Sequence, residues 1–132
     1  MTLRQLVVAK DVETIQGTWR VVSLEKEGRA GEDDTWIIQK NKILFKRDNI
    51  VYEEAAYETD SRKRPPTIDF TFATGPAKGE TIRGIYLLDK DRLKICYVAP
   101  DLPEAGKKKR PTEFSSKPGS GTWLLVLSRV KP

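Results

Sequence analysis

Hydrophobic and polar residues alternate along much of this chain with a period of two, and a helical period of 3.6 is nearly absent. In Thr67-Ile68-Asp69-Phe70-Thr71-Phe72 the apolar Ile68, Phe70 and Phe72 share one face and the polar residues the other, the pattern of a half-buried strand. Similar β-rich runs lie at Thr18 to Lys26, Trp36 to Gln39, Ile43 to Arg47, Ile50 to Glu58, Ile82 to Leu88, Arg92 to Val98 and Thr122 to Val130, which predicts eight strands. No helical stretch long enough for a parallel crossover separates any two of them. Sequential antiparallel pairing is therefore expected, and eight such strands can close into an up-and-down barrel that leaves no free edge.

The connections carry turn chemistry. Asp48-Asn49 suits a two-residue hairpin, because both residues tolerate left-handed backbone angles, and Asp89-Lys90-Asp91 suits a slightly longer one. Tyr52 and Tyr57 are five residues apart and would face opposite sides of a regular strand. Either a β-bulge between Glu53 and Ala56 or a break into two short strands is expected there. The one helix predicted is short and N-terminal, with Asp11 as its cap, Glu13 in its first turn, Val12 and Ile15 on its apolar side and Gly17 at its end. The expected fold is thus a single all-β domain over residues 1–132, an eight-stranded antiparallel barrel with a short N-terminal helix.

Composition narrows the chemistry. A chain of 132 residues can bury about two thirds of its unfolded surface without disulfides or metal. It has no histidine and one cysteine, Cys96, which excludes an internal disulfide, a CxxC pair and a cysteine-rich zinc site. Cys96 falls in mid-strand, where a thiol is ordinarily buried and inert, and there is no nucleophile elbow or phosphate loop. Glu53-Glu54 point to opposite faces of a regular strand, and Asp33-Asp34 have the look of a solvated turn. Catalysis, a cofactor and a metal are accordingly not expected. No stretch approaches the ~20 apolar residues of a membrane span, so the chain reads as cytoplasmic.

The net charge is +5, and Arg62-Lys63-Arg64 with Lys107-Lys108-Lys109-Arg110 carry more than all of it, leaving the remainder slightly acidic. Both runs adjoin prolines and are expected in loops. In a meander, the connections near residues 27–35, 48–49, 74–81 and 99–121 share one end, the open mouth, while residues 59–66 lie at the floor. The two runs then sit at opposite ends, roughly 20 Å apart. That separation argues against sequence-specific nucleic-acid binding and leaves only nonspecific association at low salt. The long segment Ala99 to Gly121, rich in Pro, Gly and Ser, reads either as a lid whose mouth loop Lys107 to Arg110 faces the opening or as a loosely ordered loop.

Inside the barrel, Tyr52, Phe70, Phe72, Tyr86 and Tyr97 are the candidate ligand-binding residues, with Gly84 leaving room. The competing reading is that these rings fill the core solidly, as a small barrel allows. Trp123 to Leu127 and Ile85 to Leu88 are apolar on both faces. The outer wall therefore needs cover, from residues 1–10 or from a second copy in a homodimer.

Gly17-Thr18-Trp19 at the start of the first strand and Arg129 at the end of the last resemble the lipocalin pattern, in which the tryptophan closes the barrel floor and the arginine packs across it. Ile15-Gln16-Gly17-Thr18-Trp19, Gly84-Ile85-Tyr86, Leu93-Lys94-Ile95-Cys96, Arg110-Pro111-Thr112-Glu113-Phe114 and Leu125-Val126-Leu127-Ser128-Arg129 further resemble an uncharacterised lipocalin-like domain family abundant in planctomycete bacteria. That family has no assigned activity, so the resemblance implies the barrel and its Gly17, Trp19 and Arg129 closure rather than a chemistry. Two functions remain open: a binding module for a small apolar or amphiphilic molecule, and a structural or protein-interaction barrel with a filled core that acts through its basic loops or outer surface.

Overall fold

A computed structural model describes residues 15–26, 29–30 and 35–131. Nine strands form one antiparallel sheet: β1 (Gly17–Lys26), β2 (Arg29–Ala30), β3 (Thr35–Ile38), β4 (Lys42–Arg47), β5 (Ile50–Asp60), β6 (Thr67–Phe72), β7 (Thr81–Asp89), β8 (Arg92–Val98) and β9 (Thr122–Arg129). β1 pairs with β9 along one edge, and along the other with both β2 and β3. The short β2 and β3 thus stand as two pieces of one barrel strand, and the sheet closes as an eight-stranded up-and-down barrel. No helix among the described residues is long and apolar enough to cross a membrane. The helix expected from Asp11 lies outside the described residues.

Local chemistry sets the turns. Asp48 and Asn49 take positive φ angles of 52° and 64°, as their hairpin requires. The β7–β8 hairpin is tighter than expected. Asp89 pairs directly with Arg92, and only Lys90 and Asp91 turn the chain, with Lys90 at φ 55°.

Two bulges adjust which side chains point inward. On β5, Phe45 pairs with Glu53 and Lys46 with Val51, so Tyr52 is the extra residue, one position before the expected span. On β1, Val21 pairs with Leu127 and Ser23 with Val126, so Val22 is extra. Val21 therefore faces inward below the bulge, and Leu24 and Lys26 face inward above it.

The floor is built around Trp19, which is fully buried. Its Nε1 donates to the Ile15 carbonyl at 2.8 Å. Trp19 and Arg129 are cross-strand partners, and the guanidinium lies 4.3 Å from the indole centroid. Arg129 also donates to the Gln16 carbonyl at 2.8 Å and to Asp91 at 3.1 Å. Gly17 makes room for this arrangement: its φ is +135°, and a Cβ there would stand 3.0 Å from Arg129 Nη1. The Lys131 ammonium, 3.0 Å from Asp91, and then the Arg129 guanidinium hold the Asp91 carboxyl below its usual range. A lowered folded-state value stabilises the fold above the ordinary carboxylate range, and that contribution is lost as the pH falls through the lowered value.

The long segment Ala99 to Gly121 borders the mouth at Pro100 and Asp101 and then leaves it. It straps the outer wall, held by contacts far apart in sequence. Arg110 grips the Asp69 carboxylate through both terminal nitrogens, at 2.6 and 3.2 Å, and donates to the Gly84 carbonyl at 2.8 Å. The Gly106 amide donates to Glu80 at 3.0 Å, and Ser116 Oγ donates to Glu25 at 2.9 Å. Beneath the strap Ile85 and Cys96, a cross-strand pair outside the barrel core, are almost wholly buried. Cover for this part of the outer wall thus comes from within the chain. The alternative donor, residues 1–10, lies outside the described residues.

Two outcomes follow from these contacts. Replacing Arg129 with Met, which keeps the apolar stem but removes the cation and its hydrogen bonds, should lower the unfolding free energy by about 2 to 3 kcal/mol, seen as a lower urea midpoint at unchanged slope. Burial pushes the Cys96 thiol up, and its S–H donates to the Ser115 carbonyl. The folded protein should thus react with a thiol reagent far more slowly than the unfolded chain. Arg110→Ala should speed labelling by about tenfold or more, by freeing the strap from the wall.

Candidate functional site

The barrel interior is filled in its lower half and hollow in its upper half. Ile15, Trp19, Leu93, Ile95 and Leu127 occupy the closed end among fully buried neighbours. Above them a cavity of about 240 Å³ opens at the opposite end. Its edge is formed where the topology predicts, by Lys26 at the end of β1, Arg47 and Tyr52 beside the 48–49 hairpin, Pro76 and Ala77 between β6 and β7, and Pro100 and Asp101 after β8.

Six aromatic rings make the wall. Trp36 on β3 meets its cross-strand partner Phe45 edge-on at 4.8 Å, and lies 6.2 Å from Phe70 and 6.3 Å from Tyr97. Phe45 stacks on Phe72 at 5.5 Å, Phe70 meets Tyr97 at 5.3 Å, and Tyr97 meets Trp123 at 5.9 Å. Each ring fixes the next, so the wall is preformed rather than assembled by a ligand. Gly84 has a specific part. It pairs with Tyr97, and a Cβ at Gly84 would lie 2.8 Å from the Cys96 carbonyl oxygen and 3.0 Å from Tyr97 Cβ.

The rim is charged. The Lys26 ammonium lies 4.4 Å from the Trp123 ring centroid, and the Arg47 guanidinium 4.9 Å from that of Tyr52. Glu53 and Asp101 are the acidic residues of the lining. The bulge at Tyr52 lets the adjacent Tyr52 and Glu53 both border the cavity, which a regular strand forbids. Among the described residues no serine, threonine or cysteine lines it, and there is no group of three or more potential metal ligands.

Of the residues singled out from sequence, Tyr52, Phe70, Phe72 and Tyr97 border the cavity. Tyr86 does not: it is 1% exposed and packed in the core, two residues after Gly84 and outside the lining. Lys107, Lys108, Lys109 and Arg110 are not mouth residues either. Lys107 pairs with Glu104 at the surface, Lys108 and Lys109 are exposed, and Arg110 is spent on Asp69, because the strap follows the wall. Trp36, Phe45 and Trp123 were not singled out. Alternation in β3, β4 and β9 puts each of them on the inner face, so the signal was present. Lys26 was hidden by the bulge at Val22.

Comparisons with protein-family models, with curated proteins and with solved structures gave no match.

Gly84→Ala tests how tightly the wall is set. The backbone oxygen it would strike cannot move alone, so Tyr97 and β8 must shift. The variant should lose about 1 to 3 kcal/mol of stability in urea unfolding.

Proposed function

We propose that this chain is a lipocalin-like binding module for a small apolar or amphiphilic molecule, held in the cavity between Trp36, Phe45, Phe70, Phe72, Tyr97 and Trp123. The observation that carries the reading is the hollow upper half of the barrel: a preformed aromatic cavity of about 240 Å³ that opens at one end only. Its volume suits a ligand of one or two rings, given that an apolar cavity of ~150 Å³ accepts benzene. Burying such a ligand supplies roughly 25 cal/mol per Å² of apolar surface. The rim offers Lys26, Arg47, Tyr52, Glu53 and Asp101 to a polar head group. The closure by Gly17, Trp19 and Arg129 and the resemblance to the planctomycete lipocalin-like domain family agree with this reading.

Holding rather than catalysis is inferred. The one thiol, Cys96, is buried beneath the strap on the far side of the wall from the cavity, and burial holds it in its protonated form. The filled-core alternative is disfavoured by the cavity itself.

Native mass spectrometry of freshly purified protein should show a retained small molecule. The unloaded protein should bind 2-naphthol with saturable quenching of Trp36 and Trp123 emission, at a Kd of roughly tens to hundreds of micromolar for so small a ligand. Leu24→Trp, which fills the half-buried entrance, should weaken this at least tenfold. Absence of both a retained molecule and saturable quenching would return the chain to the structural class.

A further inference from the structure

Of the basic run that looks strongest in sequence, Arg110 is spent on the wall and Lys107 on Glu104, which leaves Lys108 and Lys109, and more unpaired cations gather at the closed end of the barrel. Every turn of that end carries cations in it or at its edge: Lys40 and Lys42 at the β3–β4 turn, Arg62 to Arg64 between β5 and β6, Lys90 and Arg92 at the β7–β8 turn, and Arg129 and Lys131 at the end of β9. Some of these are answered. Arg62 pairs with Asp60, Arg129 and Lys131 share Asp91, and Arg64 donates to the carbonyls of Ser61 and Lys63. Lys40, Lys42, Lys63, Lys90 and Arg92 are exposed and have no ion-pair partner among the described residues. Against these five, Asp89 is the one carboxylate of the described turns left without a cation.

We propose that this closed end is a sequence-independent docking face for the phosphate backbone of a double-stranded nucleic acid. Neighbouring turns around the rim are two strand spacings apart, about 10 Å. That is close to the ~12 Å width of the duplex major groove, so adjacent turns can meet phosphates on both sides of it. The face lacks what other anionic partners need. Among the described residues the exposed large hydrophobic nearest to it is Val130, too little for a membrane anchor or for the apolar centre of a protein interface. The described residues present no exposed ring there on which single-stranded bases could stack, since Trp19 is fully buried and the Tyr57 hydroxyl is tied to the Gln39 carbonyl. What remains is neutralisation of regularly spaced phosphates by unpaired cations. Docking there leaves the cavity mouth, at the other end of the barrel, free.

Fluorescence anisotropy with a labelled 20-base-pair duplex of mixed sequence tests this. At 50 mM salt the full chain should bind at micromolar Kd, equally for a shuffled sequence, with a slope of log K on log salt near −4, so that 200 mM salt weakens binding roughly 200-fold. Lys40→Gln/Lys63→Gln/Lys90→Gln should flatten that slope by about 2.7. Lys107→Gln/Lys108→Gln/Lys109→Gln, which removes the same net charge from the strap, should change it by less than about 1. Equal effects of the two triple variants would show that net charge alone acts and would overturn the assignment. So would tighter binding to phosphatidylserine-containing vesicles than to the duplex, or no binding at 50 mM salt.

Discussion

Everything in this molecule depends on the first strand finding the last. A sheet of this length with free edges would expose two ladders of unpaired backbone groups, and only the pairing of β1 with β9 removes both. The pairing spans nearly the whole chain, so its loop-closure cost is among the largest in the fold. The Trp19 and Arg129 contact sits on that seam. It satisfies the indole N–H, caps the interior with an aromatic plane and ties the chain entering at Gln16 to the strand leaving at Arg129. With the floor locked, the residues above it need not fill the interior completely, and a hollow upper half becomes tolerable.

The strap shows a second economy. Strands buried on both faces need a partner layer, which many barrels obtain from helices or from another subunit. Here a segment without regular structure beyond one short 3-10 turn at Ala105–Lys107 covers part of the outer wall. It is held by charge-assisted contacts from Arg110 and by backbone groups such as the Ser115 carbonyl. Irregular chain can serve because its polar groups find partners in side chains on β1, on β6 and just before β7, namely Glu25, Asp69 and Glu80.

How much of this was legible in the sequence follows the range of the interactions. The strands, the Asp48-Asn49 hairpin and the floor residues could be read because each is encoded within a few positions: alternation at Ile68, Phe70 and Phe72, two residues tolerant of left-handed angles, and a glycine two places before a tryptophan. Four of the five proposed pocket residues lie at the cavity, for the same reason. Tyr86 was misplaced because alternation tells inside from outside but not height along the barrel, and the floor and the cavity share one inner face. The course of the strap was not legible at all. Nothing local to Arg110 names Asp69 as its partner, and a run of cations beside a proline gives no sign of which one will be consumed by a distant carboxylate. The cavity rim failed differently, because a bulge resets parity without leaving a mark in composition.

That reset at Val22 gives β1 two reading frames. Below it Trp19 and Val21 serve the floor and the lower wall, and above it Leu24 and Lys26 serve the mouth. The spacing between Trp19 and Lys26 therefore behaves like a coding constraint. Regular pairing of the same residues without the bulge would put Glu25 rather than Lys26 at the opening, reversing the sign of that position without any change of amino acid. In comparing variants of this barrel, loss or displacement of the bulge would carry more meaning for the ligand than most substitutions in the cavity wall.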